Sequence, residues 1–169
     1  PAVAVETAML HTPVVFDWVG SESRWLGIVI HRFLARMALE GIDQWSAQRI
    51  EQHRGVVKNH LLDLGSPQNS IGEGVDWVVA GLNTVIASAK GRWLLDPNHH
   101  GACSEWGVTG VIDQRMISVV IDRSFVDDEG NRWIVDFKTS RHEGGDREGF
   151  LANEEVRYRQ QLDLYARLI

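Results

Sequence analysis

Two aspartates and a lysine carry the most legible chemistry in this chain. Between Ser118 and Thr139 the sequence runs SVVIDRSFVDDEGNRWIVDFKT. Two β-branched and aromatic stretches flank the polar turn Asp127-Asp128-Glu129-Gly130-Asn131, a pattern that predicts an antiparallel hairpin. Asp136 and Lys138 stand two residues apart in the second strand, read as Arg132–Lys138, and so project from one face. With the loop set at Asp127–Asn131, Val126 pairs with Arg132 and Asp122 falls opposite Asp136. Directly opposed Cβ atoms lie roughly 4.5–5.5 Å apart. Two carboxylates at that spacing repel, and a divalent cation offsets the repulsion; Mg²⁺ is commonly held by one or two carboxylates. A lysine beside them can orient a water or balance charge developing on a phosphate. A slip of one residue would send the aspartates to opposite faces. The bland alternative is a surface hairpin with solvated charges. Against it, Asp136 lies between Val135 and Phe137 in an apolar strand, where an unpaired carboxylate is costly.

Several elements must position this hairpin. Apolar spacing at Leu26, Val29, Ile30, Phe33, Leu34 and Met37 predicts a helix from about Arg24 to Glu40, capped near Ser21 or Ser23 and stopped at Gly41. Residues 46–64 read as a second helix softened at Gly55, with His53 and His60 on its surface. Residues 73–90 read as a third, with Trp77, Val78, Leu82, Val85 and Ile86 inward. Val14-Val15-Phe16 reads as a short strand or docking segment. The His99-His100 pair falls in a loop and reads as bland. Residues 103–112 begin the sheet. Residues 140–150 read as a loop at the mouth of a cleft. A last helix is expected from a capping Asn153, placing Tyr158, Gln161 and Tyr165 on one face. Arg157, Arg159 and Arg167 are expected to reach phosphates from it.

The chain has 169 residues, enough for one domain with a core. Its single cysteine, Cys103, excludes a disulfide framework and any four-cysteine zinc or iron–sulfur site. It carries no apolar run of membrane-spanning length and no signal-peptide pattern, so a reducing, cytoplasmic setting is expected. The net charge of −6 argues against a free-standing DNA-binding module. It is compatible with a carboxylate-rich site whose affinity comes from elsewhere in a longer protein. Pro1 at the start and a helix running to Ile169 suggest such a fragment.

Asp122, then Asp136-Phe137-Lys138-Thr139, with "IDR" before and "DFKTS" after, resembles the PD-(D/E)XK nuclease superfamily. Within it, the pattern looks most like the RecB-type nuclease domain of UvrD/Rep-like helicases, as in RecB and AddA. The resemblance implies an α/β fold: a restriction-endonuclease-like mixed β-sheet core with flanking helices and a helical N-terminal layer. A single domain over residues 1–169 is expected, with a helical part at 21–95 and a motif-bearing core at 103–169. Asp122, Asp136 and Lys138 would be catalytic. Gly27-Ile28-Val29-Ile30-His31 matches the family's Gly-x-x-x-His segment, which makes His31 a metal ligand beside Asp122 and Asp136. On pattern alone a buried, hydrogen-bonded histidine is the other reading. A carbonyl of Val135 or Phe137 would assist, and Glu105 would be an outer ligand. Gln161-Leu162-Asp163-Leu164-Tyr165 matches a Gln-x-x-x-Tyr motif, so Gln161 and Tyr165, with Tyr158 and Thr139, would bind substrate. Asp113, after "TGVI", competes with Asp122 for the first position. Asp122 is preferred because its strand pairs with the DFK strand.

The implied function is Mg²⁺- or Mn²⁺-dependent hydrolysis of DNA phosphodiesters, without an iron–sulfur cluster. Its setting would be DNA end processing and recombinational repair, as in exodeoxyribonuclease V. Implied partners are DNA, helicase domains of the same full-length chain and a partner subunit. The competing readings are a non-catalytic nuclease-like module that binds DNA or a subunit, and a metal-dependent hydrolase of nucleotides.

Overall fold

The computed structural model describes residues 21–138 and 147–169, with side chains over 24–138 and 158–169. Thr139, Arg157 and the 14–16 segment, each given a part in the sequence reading, lie outside the described residues or side chains. Helix α1 spans Ser21–Glu40 and ends at Gly41, whose φ of 92° suits a residue without a side chain. A 3₁₀ turn follows at Ile42–Gln44. Then come α2 (Ala47–Gln52), α3 (Arg54–Asp63), α4 (Ile71–Ala87) and α5 (Ala89–Leu94). Ser46 and Ser88 cap α2 and α5, accepting hydrogen bonds from the backbone N–H of Arg49 and Gly91 at 3.2 Å each. Strands β1 (His100–Ile112), β2 (Arg115–Val126) and β3 (Arg132–Val135) form an antiparallel sheet in that order, and α6 runs Arg147–Leu168. The α/β architecture with flanking helices and an N-terminal helical layer, consistent with a restriction-endonuclease-like fold, is the observed one, but the sheet expected to be mixed is antiparallel in every described pairing.

The apolar stripe of α1 packs as its spacing predicts. Val29, Ile30, Phe33, Leu34, Met37 and Ala38 are buried against Val57 and Leu61 of α3 and Val75, Val78, Val79 and Leu82 of α4. The second helical stretch breaks at His53 rather than at Gly55. There the His53 Nδ1 meets the Arg49 carbonyl at 2.8 Å. Its ring packs on Phe33 and Trp45, at 5.9 and 5.1 Å between centroids. His60 also lies against Phe33, so both histidines belong to the core margin and not to the surface. Helix α4 starts at Ile71, and the run toward Trp93 is split by the Ser88 cap. Helix α6 begins six residues before Asn153, which therefore does not cap it. Phe150, Leu151 and Ala152 contain no helix breaker, so nothing forces a start at the asparagine.

The hairpin register is the expected one. Val126 pairs with Arg132, Ser124 with Ile134, and Arg123 with Val135. In the turn, Asp127 and Asn131 are joined by backbone, and Asp127 Oδ1 accepts the N–H of Glu129 and of Asn131. Gly130 takes φ 85° there. The second strand is shorter than expected: β3 stops at Val135, and residues 136–138 continue without ladder pairing. Asp113 and Gln114 form the tight β1–β2 turn, both with positive φ, 50° and 65°. That turn geometry matches the twist of a two-residue hairpin and explains why Asp113 stands away from the pair. It meets Arg167 at 3.3 Å instead, which occupies an arginine expected to reach phosphate.

One buried cation joins the layers. Arg123 is 2% exposed. Its guanidinium donates to the carbonyls of Leu94 (3.2 Å) and Asp96 (2.6 Å) and to Ser104 Oγ (3.2 Å). The carbonyls at the C-terminus of α5 favour a cation there. Burial pulls the Arg123 pKa down, without threatening its charge. Substituting Arg123→Met should destabilise the protein by about 2–4 kcal/mol in urea unfolding, since it strands buried acceptors. Arg123→Lys should recover only part of that, because one ammonium cannot span three acceptors placed for a planar fork.

Candidate active site

The β2–β3 ladder ends at Arg123 and Val135, and Asp122 and Asp136 are the next residue on either side of that end. Both side chains are largely buried, at 14% and 11% exposure. Three features answer their mutual repulsion. The backbone N–H of Phe137 donates to Asp122 Oδ2 at 2.7 Å. His31 on α1 places Nδ1 3.6 Å from the same oxygen, an ion pair rather than a well-formed hydrogen bond. Lys138 forms an ion pair with Asp136 Oδ2, a buried oxygen with no partner in good hydrogen-bond geometry. The Phe137 ring meets His31 edge-on at 6.1 Å and packs on the helical core. One short irregular segment thus fastens the helical layer to the carboxylates. Phe137 was legible only as a strand residue, and Arg123 only as the residue after Asp122. Its parity with Ile121 and Phe125 in β2 is the signal that would have marked Arg123 as inward.

Helix α6 closes the other side. Gln161 donates to Asp136 Oδ1 at 3.2 Å and also meets the Tyr165 hydroxyl. Tyr165 is 6% exposed. The Tyr158 ring lies over Lys138 Nζ, 4.1 Å from its centroid. The three residues expected to share a helix face therefore do converge on the hairpin, and on its aspartate and lysine themselves. Glu105 sits on β1 between pairs that hold one register, Ser104 with Arg123 and Trp106 with Ile121, so it falls across from Asp122. Its φ of 50° is a costly conformation for glutamate and interrupts the edge strand locally. A cavity of about 420 Å³ opens beside it, lined by Ile28, His31, Arg32, Ala35 and Glu105.

The electrostatics follow from this crowding. Burial lifts the Asp136 carboxyl above the usual range, Lys138 works against that lift, and the charge on Asp122 adds to it. Burial and then Asp122 raise Glu105. Burial pulls the His31 imidazole down, but Asp122, the Phe137 carbonyl and Asp136 outweigh it and leave its pKa raised. Burial raises the Tyr165 hydroxyl, keeping it protonated.

The fit to a divalent cation rests on the donor set. His31, Asp122 and Asp136 are neighbours pairwise rather than a closed cage. Among the described residues no group of three His, Cys, Asp or Glu side chains is close enough to hold a metal ion alone. Mg²⁺ does not need such a cage; it takes one or two carboxylates and completes its shell with waters and substrate phosphates. Two neighbouring, largely buried carboxylates with hard oxygen donors fit that requirement.

The family model of the PD-(D/E)XK nuclease superfamily matches residues 19–169, and the chain belongs to that superfamily. No curated protein and no solved structure matches it. Ile121 precedes Asp122 where the family's name has proline. Because β2 is the central strand and Ile121 pairs with Trp106, a proline here would forfeit a ladder N–H.

In metal-free protein, the His31 imidazole should titrate by NMR above the ordinary value of about 6.5. A raised folded-state pKa means its stabilising contribution is complete below the unfolded-state value. That contribution disappears as pH climbs through the folded value. Asp122→Asn removes the strongest upward influence and should move the titration down. An unmoved midpoint would show that Asp122 is not its partner.

Proposed function

We propose that this member of the PD-(D/E)XK superfamily is a Mg²⁺- or Mn²⁺-dependent deoxyribonuclease of the RecB/AddA type. In this reading residues 1–169 form one nuclease domain, with a helical part at 21–95 and a catalytic core at 103–169. The observation that carries the reading is the opposition of Asp122 and Asp136, with Lys138 on one and His31 beside the other. Asp122 and Asp136 would hold the cation, with His31 on the Asp122 side and Glu105 as an outer ligand. Bound there, a divalent cation supplies Lewis-acid polarisation of the scissile phosphate and a water of lowered pKa. Lys138 supplies a fixed positive charge next to the reacting phosphate, where it orients the attacking water and balances the charge that grows on the phosphoryl oxygens. Gln161 holds Asp136 by its second oxygen, so the carboxylate keeps one orientation as substrate enters.

The net charge of −6 is unfavourable for holding a polyanion. Helicase domains of the same full-length chain, or a partner subunit, would supply the basic surface that keeps DNA at the site. On this reading the activity would serve DNA end processing and recombinational repair, in the cytoplasm. Among the described residues no helix is long and apolar enough to cross a membrane.

The test is cleavage of linear single- and double-stranded DNA with Mg²⁺ or Mn²⁺. Asp136→Ala and Lys138→Ala should each lower the rate at least a hundredfold, the scale of removing one charge-stabilising group, and EDTA should abolish it. Metal binding by calorimetry that is lost in Asp136→Ala, without cleavage, would leave a metal-dependent binding module. Hydrolysis of nucleotides but not of polymer would favour a nucleotide hydrolase.

A further inference from the structure

Lys138 is a long, flexible cation at the edge of the site. It stands beyond the end of β3, on backbone with no ladder pairing, and is 34% exposed. A lysine in that setting has much rotamer freedom to lose before it can act from one position. Two groups restrain it: the Asp136 carboxylate, and the Tyr158 ring face 4.1 Å from Nζ. They are not equivalent. Asp136 is also a donor for a divalent cation, so any cation bound there competes with the ammonium for the same carboxylate. The ring's quadrupole attracts the ammonium without offering a ligand to a hard cation.

We infer that the ring of Tyr158, rather than its hydroxyl, holds the Lys138 ammonium in working position when Asp136 is shared with a cation, making Tyr158 a positioning residue and not a substrate contact. This rests on the nuclease reading for its purpose, but the contact itself does not. The geometry agrees with the rest of the helix face: Gln161, one turn on, restrains Asp136 from the same side. Helix α6 thus steadies both members of the Asp136–Lys138 pair.

The test has two arms, both on the full chain. In metal-free protein, a double-mutant cycle of Tyr158→Leu and Lys138→Met in urea unfolding should give a coupling of about two- to fivefold in the unfolding constant, as for a partly exposed cation–π pair. Tyr158→Phe should retain that coupling. In Mg²⁺-dependent cleavage, Tyr158→Leu should lower kcat about tenfold, on the scale of a misplaced catalytic group, with KM within about twofold. Tyr158→Phe should restore kcat to within about threefold of wild type, and Tyr158→Leu should add nothing once Lys138 is methionine. Absent coupling, or a Phe variant as impaired as the Leu variant, overturns the inference, as does a rise in KM with kcat intact. Coupling that persists in a wild-type chain unable to cleave DNA supports the contact and overturns the nuclease reading instead.

Discussion

The opposition of Asp122 and Asp136 is the constraint on which the rest of the structure depends. Two charged carboxylates brought side by side in a largely buried site repel more strongly than they would in water. The surroundings of the pair read as a set of partial answers to that cost. An N–H from Phe137 and the His31 imidazole meet Asp122 on one oxygen. Lys138 and Gln161 meet Asp136, one on each oxygen. The answer is incomplete, since burial and Asp122 still hold the Asp136 carboxyl above its usual range. Paired carboxylates of this kind are the hard oxygen donors that members of a divalent-metal-using nuclease superfamily typically employ.

The scaffold's task is to keep that register from slipping. The Asp127 carboxylate locks the β2–β3 turn by accepting two backbone N–H groups and the Trp133 indole. Phe125 and Trp133 stack across the strands and pack with Trp93 and His99, which fixes the far face of the hairpin. Arg123 ties β2 to the end of α5, one residue from Asp122. The helical layer then brings His31 in on α1, held by a stripe of buried residues on either side of it. Glu105, with its strained backbone, and the adjoining cavity border the site on the α1 side.

Membership of a nuclease superfamily and the observed geometry bear on different questions. The family match speaks for the kind of chemistry. The geometry speaks for how this chain divides the labour, with α1 serving Asp122 and α6 serving Asp136 and Lys138. The Gln161 and Tyr165 pair illustrates the difference. The family motif implied contact with substrate, and the folded chain sets Gln161 on Asp136 and Tyr165 on Gln161.

Much of this was legible in the sequence because it depends on local rules. Strand parity and a turn of fixed length determined that Asp122 opposes Asp136, and helical periodicity determined the buried stripe of α1 and the shared face of Tyr158, Gln161 and Tyr165. Where local signals were weak, tertiary contacts decided. The second helix broke at His53 because its ring packs on Phe33 and Trp45, not at the glycine that propensity singled out. β3 stopped at Val135, so Asp136 and Lys138 lie past the ladder. No propensity encodes the distance from α1 to β2, and so His31 could be either a core histidine or a partner of Asp122 until the layers were assembled. The acceptors of Arg123, the Phe137 N–H on Asp122 and the Tyr158 ring over Lys138 were invisible for the same reason, although strand parity marks Arg123 itself as inward. Each depends on how separate elements meet, and such contacts are fixed by packing rather than by periodicity.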